Sequence, residues 1–212
     1  MPDWDEDSPQ LRKNLDRVLE QIVQEAGQRT TPSVDLARNW QILMMEGLEP
    51  EDGNQYYVGR FRGEAEIEYV QVHVGEDWGV DSQFVLAELE RFEAKLKTLV
   101  AELDALQPFD QNPDDDQKEA VLDVCAWAHA EWVRIHPFAN GNGRTARLWA
   151  NFLATRYGLP PFVRLRPRPN AGYGNAGAKA MHGYWKPTAV VFRQLLADYE
   201  EELRGLDAPE DH

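Results

Sequence analysis

The sequence predicts an all-α domain that carries one short β-hairpin. Apolar residues recur at three- and four-residue spacing through most of its length, only one stretch alternates with period two, and capping residues, glycines and prolines fall between these segments. Leu11, Leu15, Val18, Leu19, Ile22 and Val23 form the first amphipathic stripe, a helix over 10–26 stopped by Gly27. Thr31-Pro32 reads as an N-cap and first-turn proline for a helix through Val34, Leu36, Trp40, Leu43 and Met44 to Gly47. Residues 49–55 read as a loop. The extended candidate is 63–74, where Ile67 and Tyr69 alternate with Glu66, Glu68 and Val70, and Val72 and Val74 continue. Asp81 or Ser82 caps a long helix through Phe84, Leu89, Phe92, Leu96 and Leu103. After an acidic loop at 108–116, helices are expected over 117–135 and 143–157, the second closed by Gly158 and Pro160. Residues 164–177 read as irregular, 187–203 as the last helix and 205–212 as a frayed tail. The organisation is an acidic tail and helix over 1–30, a main domain over 31–204, and the tail.

Composition excludes several classes. The 212 residues include 42% hydrophobic ones and carry a net charge of −15, so a packed core is expected and a polymeric nucleic-acid partner is not. The single cysteine, Cys125, rules out an internal disulfide framework and a cysteine-based zinc site. No run of 18 apolar residues marks a membrane span, and the acidic start lacks an apolar secretory segment, so a cytoplasmic setting is expected.

The charge is unevenly placed. Residues 132–197 hold ten Arg and Lys and no Asp or Glu, so this stretch carries +10 and the remainder −25. Such a stretch could supply ion-pair partners to acidic helices, or line a pocket for a small polyanion that carboxylates would repel. Within it lies His136-Pro137-Phe138-Ala139-Asn140-Gly141-Asn142-Gly143-Arg144-Thr145-Ala146-Arg147, between two predicted helices. A Gly-rich turn leading into a helix N-terminus exposes N–H groups at the positive end of the helix dipole. Arg144 and Arg147, three residues apart, share a face and add two guanidinium groups suited to polyphosphate. His136 would stand beside the bound phosphates as a base for an incoming hydroxyl. Phe138 reads as a plug into the core.

This segment resembles the active-site signature of the Fic family, HxFx(D/E)GNGRxxR, at every fixed position except Asn140. Gly59-Arg60-Phe61-Arg62 looks like the element that leads into the Fic flap, and 126–135 like the helix that delivers the catalytic loop. The resemblance implies a helical domain that transfers AMP from ATP to a protein Ser, Thr or Tyr hydroxyl. His136 would be the base, Asn142 and the Gly141–Gly143 backbone would hold the α-phosphate, and Arg144 and Arg147 the β- and γ-phosphates. Phe138 would anchor the loop, and Ile67, Tyr69 and Val70 would belong to the flap that clamps a target segment. Mg²⁺ would accompany the ATP. Asn140 stands where most members carry a metal-holding carboxylate, and its amide oxygen is a weaker ligand for a hard cation. That leaves open a catalytically weakened nucleotide-binding module, or transfer of a different nucleotide or phosphate-containing group. Doc-type relatives, which are phosphotransferases, carry Lys where this chain has Gly143, so Gly143 favours nucleotidyl transfer. Many members restrain themselves with an (S/T)xxxE(G/N) helix. Here Glu46-Gly47 is preceded by Ile42 at the Ser/Thr position and reads as a helix end, so restraint is expected in trans, from a small antitoxin-like partner.

The remaining candidates read as structural. His129 lies two turns before His136 without a ligand partner, and Cys125 sits in an apolar stripe. Tyr173, Tyr184 and His182 are assigned to packing, and Arg164, Arg166 and Arg168 to a solvated extended edge.

Overall fold

The computed structural model describes residues 7–50, 55–107, 112–170 and 172–206. Helix α1 (Pro9–Gly27) starts where the Ser8 hydroxyl accepts the Leu11 N–H at 3.1 Å, with Pro9 in the first turn. Helix α2 (Val34–Met45) starts later than Thr31-Pro32 predicts. Ser33 is extended, and the Glu93 carboxylate of the next helix takes the Val34 N–H at 2.7 Å, so a distant residue supplies the cap. Helix α3 (Ser82–Leu106) is capped by Asp81. Helix α4 (Asp115–Ile135) begins earlier than expected because Asp114 and Gln117 form a reciprocal capping box. Helix α5 (Asn142–Arg156) follows the motif turn. Helix α7 (Lys186–Leu206) runs past the expected 203, and most of the predicted frayed tail lies outside the described residues, as do 51–54 of the first predicted loop and 108–111 of the acidic one.

Helix α6 (Tyr173–Met181) falls in the stretch read as irregular. Gly174 and Gly177 lower its intrinsic propensity, but burial of Tyr173, Ala176 and Ala180 against α4 and α7 holds it.

α4 is the hub: it packs against α3, α5, α6 and α7, while α1 covers α2 and α5 and joins the same core. Its centre is aromatic. Trp40 meets Trp149 with centroids 4.9 Å apart, Phe92 meets Trp132 at 5.3 Å, and Phe61 meets Phe138 at 4.9 Å. Such contacts are worth about 0.5–1.5 kcal/mol each beyond burial. No helix among the described residues is long and apolar enough to cross a membrane.

The extended candidate is corrected. Only β1 (His73–Val74) and β2 (Asp77–Trp78) pair, antiparallel, with His73 opposite Trp78 and Val74 opposite Asp77. A further bond from the Gly79 N–H to the Val72 carbonyl, 3.1 Å, extends the hairpin. Residues 61–70 instead run through tight turns, among them Ile67 N–H to Glu64 C=O at 3.1 Å. The Glu64 carboxylate accepts the Phe61 N–H at 3.0 Å and an Arg38 N–H at 2.6 Å, so side-chain bonds replace a ladder. Of the residues assigned to the flap, Ile67 is buried in a turn, Tyr69 is 90% exposed beside it, and Val70 alone lines the cavity described below.

Candidate active site

α4 ends one residue before His136, which takes the left-handed conformation (φ 52°, ψ 57°) that reverses the chain. Its backbone N–H still reaches the Trp132 carbonyl at 2.9 Å. Its ring Nδ1 lies 2.6 Å from the Val133 carbonyl. A carbonyl can only accept, so Nδ1 carries the proton and the neutral ring presents a basic Nε2. Burial pushes the His136 pKa below 6.5, against the Val133 hydrogen bond, and the nearby Arg62 cation lowers it further. The imidazole is therefore unprotonated at neutral pH.

The turn that follows is locked from within. Phe138 is fully buried against Phe61 and Trp132. The Asn142 side chain accepts the Phe138 N–H and donates to the Phe138 carbonyl, both at 2.8 Å. The Asn142 amide is thus engaged with the loop backbone, while its own backbone N–H lies in the first turn of α5. Gly141 adopts φ +86°, and a Cβ there would stand 2.8 Å from Met44 Cε, so glycine is required. Thr145 closes the start of α5 by bonding the Gly141 carbonyl at 2.9 Å. The N–H groups of Asn142 and Gly143 open the helix and have no carbonyl of their own helix to bond. A side chain on Gly143 would begin 3.6 Å from Arg147 Nη1 and stand before that cation.

Arg144 and Arg147 leave α5 on one face. Arg144 Nη2 donates to Asn140 Oδ1 at 3.2 Å, and Arg147 Nη2 donates to the Leu165 carbonyl at 2.8 Å. Arg147 Nη1 reaches the Tyr173 hydroxyl at 3.3 Å, and that hydroxyl lies 2.6 Å from His129 Nε2. Burial, with Arg147 nearby, pushes the His129 pKa down to about 3, so the ring is neutral. His129 and Tyr173 are thus the support behind Arg147, a role spacing alone did not reveal. Cys125 is buried, and burial pushes its thiol pKa far up, which leaves no thiolate nucleophile.

These groups meet in one cavity of about 770 Å³. His136, Asn140 and the first turn of α5 form its floor, Val70 to His73 one wall, and Leu165, Arg166 and Arg168 the other. Arg166 and Arg168 therefore do not form a merely solvated edge, although Arg166 also pairs with Asp7 at 3.3 Å. The acid-free stretch divides: Arg134, Arg156 and Arg193 pair with acidic residues elsewhere, whereas Arg144, Arg147, Arg166 and Arg168 line the cavity. A second cavity, about 730 Å³, lies between α1, α7 and residues 161–170. Its walls mix Arg12 and Arg164 with Asp16, Asp198 and Glu202 and carry no histidine. The charge asymmetry and the base both favour the first.

The loop offers a metal little. Asn140 Oδ1 is neutral and already accepts from the Gly141 N–H and from Arg144. No group of three His, Cys, Asp or Glu among the described residues could hold a metal ion. The residues fit only an ion carried in on a nucleotide's own phosphates.

Glu46 lies away from this site. It caps α2, pairs with Arg17 at 2.6 Å and gives its carbonyl to Asn14 at 2.7 Å. Arg62 ends the Gly59–Arg62 element, and its type and position in the sequence carry no sign of what it touches. It is wholly buried and binds the His136 carbonyl at 2.7 Å.

Known proteins resemble this chain in sequence and in fold. The Fic/DOC family profile matches residues 32–154. Protein adenylyltransferase Fic of Drosophila mojavensis is 40% identical over 103 residues, 48% of this chain and 20% of that protein. Its counterpart in Drosophila persimilis is 50% identical over 85 residues, 40% of this chain and 16% of that protein. The alignments thus cover a fifth or less of these relatives. Among solved structures, Fic-1 from C. elegans superposes with a TM-score of 0.61 at 21% identity, covering 91% of this chain and 50% of that one. A Fic domain containing signalling protein from Bacteroides thetaiotaomicron gives 0.57 at 18% identity, covering 89% and 68%. The profile covers more than half of the sequence, including the whole histidine loop, and the superpositions reproduce the helical fold around it: the chain belongs to the Fic/DOC family.

Proposed function

We propose that this chain is a protein nucleotidyltransferase that moves AMP from ATP to a Ser, Thr or Tyr hydroxyl of a target protein. The observation that carries the reading is the orientation of His136. Its Nδ1 is committed to the Val133 carbonyl, so the basic Nε2 is left for chemistry in a cavity that also holds Arg144 and Arg147. The names of the Drosophila relatives, protein adenylyltransferase, support it.

In the proposed reaction the target hydroxyl gives its proton to His136 Nε2 and its oxygen attacks the α-phosphorus. The bond from that phosphorus to the β-bridging oxygen breaks, and pyrophosphate leaves. The N–H groups of Asn142 and Gly143 face the α-phosphate, and Arg144 and Arg147 take the charge that grows on the leaving group. Asn140 would offer its amide oxygen to a Mg²⁺ carried in on ATP, which would supply further neutralisation of the phosphates. Most of the acceleration then comes from positioning and charge. Target residues would pair with the hairpin around β1 and Val70. Because Glu46 is engaged by Arg17, restraint of this site is assigned to a partner in trans, as in a toxin held by an antitoxin-like protein.

The test is intact-mass analysis of cell proteins after expression of the wild-type and His136→Ala chains. The expected result is a mass increase of one AMP on a target in the first and a loss of transfer of about 10²–10⁴-fold in the second. ATP binding by the wild type with no modified protein, itself included, would establish a nucleotide-binding module instead. A different added mass would name another transferred group.

A further inference from the structure

Arg62 occupies a place that a cation ordinarily avoids. Its side chain is fully buried, and the partners it meets there are neutral oxygens. It donates to the carbonyls of His136 at 2.7 Å, Ile135 at 3.0 Å, Val80 at 2.7 Å and Val70 at 3.2 Å, and to the Gln71 amide oxygen at 3.4 Å. Its backbone N–H adds a bond to the Pro137 carbonyl at 2.7 Å. Burial lowers its pKa to about 10, with Asp81 opposing, so it stays charged at neutral pH.

These acceptors fall into two groups. Ile135, His136 and Pro137 are the end of α4 and the start of the catalytic loop. Val70 and Val80 flank the hairpin on its two sides. One planar fork therefore joins the base to both legs of the flap, which a lysine ammonium could not do. A second observation places the flap directly on the base. A Cβ on Gly79 would lie 2.7 Å from His136 Cβ and 3.1 Å from Arg62 Nη2, so only glycine lets the returning strand come this close.

We propose that Arg62 is a positioning residue: by tying both legs of the flap to the carbonyls at the α4 terminus, it sets where His136 Nε2 stands relative to a target strand on the flap, so that base geometry and target alignment are fixed together. This rests on the nucleotidyl-transfer reading. Arg62 lies behind the loop, outside the lining of the nucleotide cavity, so its loss should spare ATP binding.

The test compares wild type with Arg62→Met, Arg62→Lys and Gly79→Ala on three readouts: ATP affinity by calorimetry, AMP transfer into lysate proteins, and the His136 imidazole by nitrogen-resolved NMR across pH. The charged and titratable groups around that imidazole are Arg62 with Asp81 beyond it, His73 from β1, Arg144 and Arg147 from α5, and Arg166 and Arg168 across the cavity. For Arg62→Met the expected result is ATP affinity within about twofold of wild type, transfer reduced about 10²-fold, as misplacement by roughly an ångström costs, and a His136 titration moved upward as the cation leaves. Arg62→Lys should keep the titration but lose about tenfold in transfer. Gly79→Ala should reproduce the loss of transfer at unchanged ATP affinity, and it decides the matter if Arg62→Met does not fold. A merely structural arginine would lower the melting temperature and leave the His136 titration and its Nδ1-protonated tautomer untouched, which overturns the proposal. If wild type transfers nothing, the transfer reading fails, and the NMR comparison alone decides whether Arg62 sets the imidazole.

Discussion

The histidine loop and the hairpin segment face each other across one cavity, yet they are built on opposite principles. Residues 133–145 make many of their bonds among themselves: Asn142 holds both backbone groups of Phe138, Thr145 holds the Gly141 carbonyl, and the Val133 carbonyl holds the His136 ring. The flap is held from outside, through Arg62, through Gly79 against His136, and through Asp77, which pairs with His182 beyond α6 at 3.1 Å. Its own ladder is two residues on each side, below what an isolated hairpin needs for stability. A segment that carries its own hydrogen bonds can be read from a short motif. One that borrows them from distant residues cannot.

The comparison breaks most visibly at Asn142. Asn142→Ala leaves the Phe138 N–H and C=O buried without partners, each worth about 1–3 kcal/mol. The expected outcome is a loss of roughly 2–5 kcal/mol in urea unfolding together with loss of transfer, although the amide touches no phosphate in the proposed mechanism. If transfer falls while stability is unchanged, the amide acts on the ligand after all, and the loop is less self-contained than its bonds imply.

On the flap side the sharper contrast is between two neighbours. Ile67 is 1% exposed and Tyr69 is 90% exposed. Ile67→Ala should cost about 2–4 kcal/mol as a buried truncation, whereas Tyr69→Ala should stay within about 0.5 kcal/mol. Equal effects in thermal unfolding would restore the alternating-strand reading of 63–74.

What was legible follows the same division. The starts of α1, α3 and α5 came within a residue of expectation, because Ser8, Asp81 and Gly141 act on their own neighbours. The start of α2 was missed because its cap, Glu93, is 59 residues away. Helix α6 was missed because glycines in the sequence spoke against it while burial of Tyr173 spoke for it. In the site, the histidine, the glycines and the two arginines were found from the motif. The roles of Arg62, Gly79 and Tyr173 were not, since each depends on what tertiary structure places beside it. A lone arginine between Phe61 and Gly63 gives no sign that carbonyls from Val70 to His136 will converge on it.

A further effect separates the two regions by pH. The loop side rests on two histidines, the buried His129 of α4 and the half-buried His136 at its end, both held below the ordinary value of 6.5 mainly by burial, His129 at about 3. The folded chain keeps these rings neutral, while the unfolded chain protonates them near 6.5. The unfolded state thus binds more protons below that pH, and stability falls as pH drops, by about 1.4 kcal/mol per pH unit for each histidine until its folded pKa is reached. The lowered carboxylates of Glu64, Glu88 and Glu93 add their own loss only below their ordinary 4.5. Between pH 6.5 and 4.5 the decline therefore belongs to the histidines. His129→Gln keeps a polar group near the Tyr173 hydroxyl and removes one titration. Urea unfolding at pH 7, 6 and 5 should show a shallower decline for this variant, by about one proton's worth of slope. An unchanged slope would mean that His129 is charged when folded, and the Tyr173 hydroxyl would then accept from both His129 and Arg147.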